Sequence, residues 1–182
     1  SKTGLVASPD NIYDFSWYDS SAQNVWDGEP IVSIISNHNE LFVLKTNSVW
    51  RNQWIYDTGA DAVSKSYAYN LRQESATGAL NSRCAIAVEQ DVLYFDWLNI
   101  RRLSYEININ ALNDDSISKE ISNIFSSLPS NQTKNAEMYY AYPFVKLCLR
   151  DKFSTNNSIG IIYNIVDKSY SIQTGVEIVQ WV

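Results

Sequence analysis

The sequence predicts an all-β protein made of antiparallel, blade-like strand meanders, and three observations carry that prediction. Apolar and polar residues alternate with a period of two in many short stretches, which is the pattern of half-buried strands. Aromatic residues make up 13% of the 182-residue chain, with 6 Trp and 12 Tyr, and these side chains favour strands. A stretch of about fifty residues also recurs, which is the size of a propeller blade.

Short apolar stretches separated by turn-type residues define the strands in chain order. We predict strands at residues 11–18, 30–36, 41–46, 49–56, 64–71, 83–89, 92–97, 100–107, 144–150, 158–165, 168–174 and 176–182. Strands this short and evenly spaced are typical of antiparallel meanders in a barrel, a sandwich or a propeller.

A helical spacing of apolar residues interrupts this series at 116–128 (SISKEISNIFSSL). The apolar positions that would share one helix face are Ile117, Ile121, Ile124, Phe125 and Leu128. Asp115 or Ser116 can cap the start of the helix, and Pro129 follows its end. We therefore predict one short helical insertion, residues 115–129, between β units.

Internal similarity separates the candidate β architectures. Residues 32–51 (VSIISNHNELFVLKTNSVWR) align with residues 84–103 (CAIAVEQDVLYFDWLNIRRL) at an offset of 52 residues, and a looser third copy covers 144–172. A repeat of this size favours a β-propeller or a partial propeller. We predict a flexible N-terminal segment (1–9) and one β-rich domain (10–182), with about three blade-like units at 10–56, 64–107 and 140–182.

Charge and composition exclude several partners and cofactors. The net charge of -6 and the pI near 4.7 argue against nucleic acid, because phosphate binding needs a basic face. No apolar run approaches the ~20 residues that span a bilayer, so we expect no membrane partner. With one His and no Cys-x-x-C pair, we expect neither a metal site nor a cofactor. Cys84 and Cys148 lie in apolar strands, where buried free thiols are the expectation and a disulfide is the alternative.

Residues 55–61 (IYDTGAD) match the catalytic loop of a retroviral-type aspartic protease. Such enzymes need two carboxylates that share a proton, and this chain has one Asp-Thr-Gly, at Asp57-Thr58-Gly59. A protease is therefore conceivable only as a homodimer. Only Gly78 lies between Gly59 and Gly160, so the glycines of a protease flap are missing. We interpret the stretch as a turn between two strands and predict no enzymatic activity.

Aromatic side chains are the candidate interaction residues. Trp and Tyr are enriched at interface hot spots, and they also form platforms for sugar rings. The candidates are Trp17, Tyr18, Trp26, Trp50 and Trp54. Trp50 and Trp54 are four residues apart and face the same side of a strand, whereas Trp17 and Tyr18 face opposite sides. Packing in the core or between blades is the alternative role for most of them.

The pattern of residue classes over roughly residues 9–175 resembles that of bacteriophage tail and head-completion proteins. The first part is SPDNIYDFSWYDSSAQNVWDGEPIVSIISNHNELFVLKTNSVWR, in which a strand leads through a Trp-containing loop to further strands. RCAIAVEQDVLYFDWLNIRRLS is similar to a following blade, and SISKEI and IIYNIVDKSYSIQTG also fit the pattern.

This resemblance implies a structural role in a virion, with other protein subunits as partners and with homo-oligomers among the expected assemblies. Three units are fewer than the roughly four to eight blades of a closed ring, so either the chain is a fragment of a longer protein or its open strand edges pair with other chains. The alternative function is a carbohydrate- or ligand-binding propeller or sandwich. The homodimeric protease that would use Asp57 is a remote alternative.

Overall fold

A computed structural model describes residues 29–37, 40–57, 66–106, 111–128, 133–150 and 157–178. The predicted segment 1–9 and the predicted strand 11–18 lie outside these ranges. The described residues form three four-stranded antiparallel sheets, so the all-β prediction is confirmed. Within them, the sheets do not close into a barrel.

Each sheet is a meander in which strands pair in sequence order. The first sheet contains β1 (Ile31–Asn37), β2 (Glu40–Lys45), β3 (Val49–Asp57) and β4 (Ser66–Ser75). The second sheet contains β5 (Ala85–Val88), β6 (Asp91–Phe95), β7 (Ile100–Glu106) and β8 (Ala111–Ser116). The third sheet contains β9 (Glu137–Ala141), β10 (Phe144–Arg150), β11 (Asn157–Asn164) and β12 (Ser169–Ile178).

The second sheet is buried on both faces, and this arrangement follows from the period-two alternation of β6. Val92 and Tyr94 pack with Phe42 and Leu44 of the first sheet in one apolar cluster. Leu93 and Phe95 point the other way and belong to a second cluster. The members of that cluster from the third sheet are Met138, Val145, Leu147, Leu149, Ile161 and Tyr163. The three sheets therefore stack face to face, with the second in the middle.

The equivalent strands of neighbouring sheets lie side by side and point in the same direction. β1 contacts β5 and β5 contacts β9, while β4 contacts β8 at the opposite edges. The Met138 amide donates to the Arg83 carbonyl at 2.8 Å, so β5 and β9 start side by side. We call the end that carries these starts the upper end. The turns between the first and second strands of each sheet lie at the lower end, where the Asn37 amide group donates to the Asp91 carbonyl at 3.0 Å.

In every sheet, two residues separate the paired ends of the first and second strands. The pairs at these ends are Asn37 with Glu40, Val88 with Asp91 and Ala141 with Phe144. The second hairpins of the first two sheets match as well, because Leu44 pairs with Val49 and Phe95 pairs with Ile100. The three sheets therefore share the strand order and the spacing of their first two strands, and the first two sheets also share the spacing of the second hairpin.

Equivalent positions in the first two sheets are 51 residues apart, not 52 as the sequence alignment has it, since Glu40 corresponds to Asp91 and Leu44 to Phe95. The aligned pair Phe42 and Tyr94 consequently occupies opposite faces. Phe42 points towards the second sheet, and Tyr94 points back towards the first. An alignment error of one residue exchanges the two faces of a strand. Because β6 is apolar on both faces, its sequence pattern does not reveal such an error.

The boundaries of the sheets differ from the predicted units. Residues 66–75, predicted to begin the second unit, pair with β3 and complete the first sheet. β8 (Ala111–Ser116, ALNDDS) has no apolar alternation, yet it pairs with β7 as an edge strand. No strand was predicted at the position of β9. β12 covers most of the predicted strand 168–174 and the first part of the predicted strand 176–182. It continues through Gly175, whose φ is 79°.

The helical insertion is shorter than predicted. A 3₁₀ turn spans Lys119–Ile121, and α1 spans Ser122–Ser127. Asp115 and Ser116, the predicted caps, belong to β8 instead, where they pair with Arg102 and Arg101. Phe125 anchors the helix in the core, with its ring centroid 5.1 Å from that of Phe95. The predicted apolar side chains therefore do lie against the core, and their role is packing.

Cys84 and Cys148 are buried free thiols, so the disulfide alternative is wrong. Burial raises the pKa of Cys84 to about 12, and its Sγ donates to the Ala136 carbonyl at 3.1 Å. In the portion of the chain that the structure describes, no helix is long and apolar enough to cross a membrane.

Gly78 is required where the linker between β4 and β5 crosses the first sheet. A Cβ at this position would lie 1.9 Å from the Lys45 carbonyl oxygen and 2.6 Å from the Thr46 carbonyl carbon. The next residue, Ala79, donates its amide proton to the same Lys45 oxygen at 2.9 Å. A side chain at position 78 would force the linker away from this hydrogen bond.

We expect Gly78→Ala to lower the free energy of unfolding by about 2–3 kcal/mol, because the clash is with backbone that cannot rotate away. Gly175→Ala is the control: nothing lies within 4 Å of its Cβ position. Only the positive φ of residue 175 opposes that change, at about 1 kcal/mol. Urea unfolding measures both variants. Equal losses in the two would contradict the steric role of Gly78.

Candidate functional site

The structure describes two of the five predicted interaction residues, Trp50 and Trp54. Trp17, Tyr18 and Trp26 lie outside the described residues. Trp54 is in β3 and pairs with Tyr69 of β4. Trp50 is half-buried: its indole N–H donates to Ser48 Oγ at 3.1 Å, and the Lys45 Nζ lies 5.9 Å from its ring centroid. Trp50 is therefore already engaged by its own sheet.

The Asp-Thr-Gly stretch falls at a hairpin. Asp57 is the last residue of β3 and pairs with Ser66, the first residue of β4. Thr58 and Gly59 lie outside the described residues. The antiparallel strands on either side agree with the interpretation as a turn, and the absence of enzymatic activity stays a prediction.

A polar network lies between the first and second sheets, next to their shared apolar cluster. The Tyr94 hydroxyl, which has one proton to donate, lies 3.2 Å from Asp114 Oδ1 and 3.0 Å from Ser75 Oγ. Ser75 Oγ in turn donates to Asp114 Oδ2 at 2.7 Å. Burial raises the pKa of Tyr94 well above its usual value, so the hydroxyl remains protonated. These bonds join β4, β6 and β8 and fix how the two sheets meet.

Arg101 connects this network to the upper turn of the second sheet. Its Nη1 lies 3.0 Å from Asp114 Oδ2, and its Nε donates to Asp96 Oδ2. Burial lowers the pKa of Arg101, but the hydrogen bond to Asp96 and the charge of Asp114 outweigh that effect and raise it. The guanidinium therefore stays charged and holds two carboxylates in place.

Asp96 also organises the turn between β6 and β7. Its Oδ1 accepts the amide protons of Leu98 at 3.0 Å and of Asn99 at 2.7 Å, and the Asp96 amide donates to the Asn99 carbonyl at 3.0 Å. Ser116 of β8 supports the turn from the side, since its Oγ donates to Asn99 Oδ1 at 3.0 Å. The turn is thus fixed by side chains on both of its flanks.

Trp97 occupies an unfavourable backbone position in this turn, with φ at 88°. Positive φ favours glycine, and a bulky residue there is an outlier that often marks a function. The side chains of Trp97 and Leu98 are nevertheless exposed, Trp97 by 40%. The equivalent turn of the first sheet carries Thr46 and Asn47 and is closed by the same backbone hydrogen bond, from the Lys45 amide to the Ser48 carbonyl at 2.8 Å. The fold therefore does not need Trp and Leu here.

We call Trp97 and Leu98 the upper knob. A second exposed apolar group lies at the lower end of the third sheet, and we call it the lower patch: Tyr142, Phe144 and Val166. Tyr142 is the most exposed of these side chains, at 69%. The turns that carry the patch are adjacent, because the Ile165 amide donates to the Pro143 carbonyl at 3.0 Å and Phe144 pairs with Asn164.

Asn164 fixes the turn that presents Val166. Its Oδ1 accepts the amide proton of Val166 at 3.0 Å, and its Nδ2 donates to Asp167 Oδ2 at 2.8 Å. The upper knob and the Val166 turn of the lower patch are therefore held by side-chain hydrogen bonds within their turns. Exposed apolar side chains on rigid turns are typical of contact surfaces, because little conformational entropy is lost on binding.

The sequence pattern indicates neither surface. The predicted strand 92–97 ends at Trp97, although the apolar pair in DWLN stands between two residues that favour turns. Tyr142, Phe144 and Val166 are separated by up to 24 residues, and only strand pairing brings them together.

One charged position differs between the repeats. In the first sheet, Arg51 is buried, with its Nε 2.8 Å from Glu74 Oε1 and its Nη1 3.4 Å from Glu40 Oε1. The equivalent Arg102 of the second sheet has the Asp91 carboxylate 4.0 Å from its Nε, and that nitrogen has no hydrogen-bond acceptor among the residues the structure describes. The repeats thus share an arginine whose surroundings have diverged. Over the same ranges, no group of three or more His, Cys, Asp or Glu could hold a metal ion.

The buried network predicts the effect of removing one hydroxyl. We expect Tyr94→Phe to lower the free energy of unfolding by about 1–2 kcal/mol, because the Asp114 and Ser75 oxygens would lose a buried partner. Tyr142→Phe removes the same atom from an exposed ring and should change stability by less than about 0.5 kcal/mol. Thermal or urea unfolding tests the pair, and a neutral Tyr94→Phe would show that the network contributes nothing to the contact between the sheets.

The φ of Trp97 predicts an unusual order of stabilities. We expect Trp97→Gly to be more stable than Trp97→Ala by about 1 kcal/mol, because both lack the indole and only alanine retains a Cβ at positive φ. In an ordinary turn the order would be the reverse, since glycine has the more flexible unfolded chain. Denaturant unfolding of the two variants decides between these outcomes.

A scan of the chain against protein-family models finds no match, and a search of curated proteins finds no significant match. A function for this chain therefore has to be inferred from its own residues and their arrangement.

Proposed function

We propose that this chain is a non-enzymatic assembly module, a phage-type virion component of a tail or head-completion structure that acts through protein–protein contacts. The observation that carries the proposal is the placement of large exposed apolar side chains on three turns, one with the upper knob and two adjacent ones with the lower patch. Exposed apolar side chains that are grouped are one mark of an interaction site. The upper knob contains a Trp and the lower patch a Tyr, and these residue types dominate the energetics of interfaces.

The sheet arrangement supports propeller-like blades as the architecture of the module. The three sheets repeat the same meander, first strands lie beside first strands, and β4 lies beside β8 at the outer edges. Blades around a common axis have the same order of strands. A closed ring has roughly four to eight such sheets, so three of them amount to part of one.

Carbohydrate binding receives less support from these side chains. A sugar platform combines a flat aromatic face with nearby polar groups that hydrogen-bond hydroxyls. The indole N–H of Trp50 is already donated to Ser48, and the exposed Trp97 is followed by Leu98. An apolar pair of this kind fits a protein pocket better than a sugar ring.

Particles purified from the strain that encodes the chain provide the test. We expect quantitative mass spectrometry to find this chain at a fixed copy number per particle, and the copies should survive a high-salt wash because apolar contacts are not screened. A host ribosomal protein in the same preparation serves as the contamination control. Absence from the particles, or a level that follows the contaminant, would reject the assembly role in a virion.

A further inference from the structure

The first sheet has a second buried face, the outer face that points away from the second sheet. Phe42 and Leu44 pack towards the second sheet, so Val43 and Lys45, which alternate with them along β2, point the other way. Val43 is nevertheless only 9% exposed, and Lys45 is fully buried. Lysine is almost never fully buried on a bare sheet face. Part of the chain therefore covers the outer face around these two residues.

The correspondence between the sheets indicates which part of the chain this is. Val43 corresponds to Tyr94 of the second sheet, at the offset of 51 residues between the two sheets. Tyr94 is buried by the first sheet, which precedes it in the chain, and the third sheet is in turn covered by the second. The face of each sheet is thus covered by the part of the chain before it. Before the first sheet, that part is residues 1–28.

Glu29 connects residues 1–28 to the outer face at the upper end. Its carboxylate accepts hydrogen bonds from Asn47 Nδ2 at 2.9 Å and from Ser48 Oγ at 3.0 Å. Ser48 Oγ also accepts the indole proton of Trp50, whose ring centroid lies 5.9 Å from Lys45 Nζ. The preceding chain therefore joins the sheet next to the buried lysine.

The other stretches outside the described residues are less well placed to cover Lys45. Residues 38–39 and 58–65 join strands of the first sheet at its lower end, whereas Lys45 is at the upper end. The remaining stretches join or follow elements of the second and third sheets. Residues 1–28 thus combine sufficient length with the right point of attachment.

The composition of residues 1–28 also matches the face. The segment contains four Asp and one Lys, so its net charge is opposite to that of Lys45, and a buried ammonium is stabilised by a nearby carboxylate. Large apolar side chains in the segment would gain free energy by covering Val43. They are Leu5, Val6, Ile12, Tyr13, Phe15, Trp17, Tyr18, Val25 and Trp26.

We infer that residues 1–28 pack on the outer face of the first sheet, over Val43 and Lys45, and close this end of the stack of sheets. The segment occupies the position that a preceding sheet would take, so a sheet of another chain cannot stack there. The terminal units of repeat proteins commonly need such a cap. Trp17 and Trp26 thereby pack within the chain and not against a partner. The inference does not depend on the proposed assembly function.

Paramagnetic labelling of the full chain tests this contact without altering the covered residues. Cys84 and Cys148 are buried, so a nitroxide reagent attaches to an introduced, exposed cysteine. Ile34→Cys places the label beside the covered residues, because Ile34 pairs with Val43 and is itself 57% exposed.

We expect the label at position 34 to remove most of the NMR signal intensity of the Trp17 and Trp26 indole N–H groups, relative to the reduced, diamagnetic label. Ile172→Cys is the matched control, since Ile172 is an exposed isoleucine of the third sheet, on the far side of the second. The same label at position 172 should leave both indole signals at full intensity.

Full indole intensity with the label at position 34, or equal losses with the two labels, would overturn the inference. Unfolding curves establish that both labelled variants are folded. The presence of the chain in purified particles is a separate observation, so the assembly role fails or stands on its own test.

Discussion

Burial of β6 on both faces is the constraint on which the rest of the structure depends. Of its five residues, Val92 and Tyr94 pack against the first sheet, and Leu93 and Phe95 pack against the third. Each apolar cluster therefore needs the second sheet, and neither outer sheet can bury its inner face without it. Because adjacent strand residues alternate in direction, the two clusters are fixed relative to one another by the backbone of one short strand.

Hydrophobic burial alone does not determine how the first sheet sits on the second. The network of Tyr94, Ser75 and Asp114 adds direction, since its hydrogen bonds are satisfied only in one relative position of β4, β6 and β8. Arg101 connects this network to the turn between β6 and β7, because it pairs with both Asp114 and Asp96. A surface residue, Trp97, is in this way positioned by groups buried between the sheets.

The sequence was sufficient for features that depend on local pattern. Period-two alternation located β2, β6 and β10, and the spacing of Ile117, Ile121 and Phe125 indicated helical packing. Features that depend on distant residues were missed. β8 is polar and is a strand because β7 provides its partner, and Ser75 meets Asp114 across 39 residues. The positive φ of Trp97 contradicts its intrinsic preference, so no propensity could indicate it. The lower patch likewise exists only through the register of β10 and β11.

Pairing in strict sequence order has a further consequence, which concerns folding. Every sheet is a meander of neighbouring strands, so most backbone contacts join residues that are close along the chain. Each hairpin can form once the segment between its own two strands has closed, which favours formation of the individual hairpins before the sheets dock. The separate sheets have nothing to bury their faces against until the second sheet is present. Docking onto β6 should therefore be the step that makes folding cooperative, and the amides of β6 should be among the last to exchange with solvent.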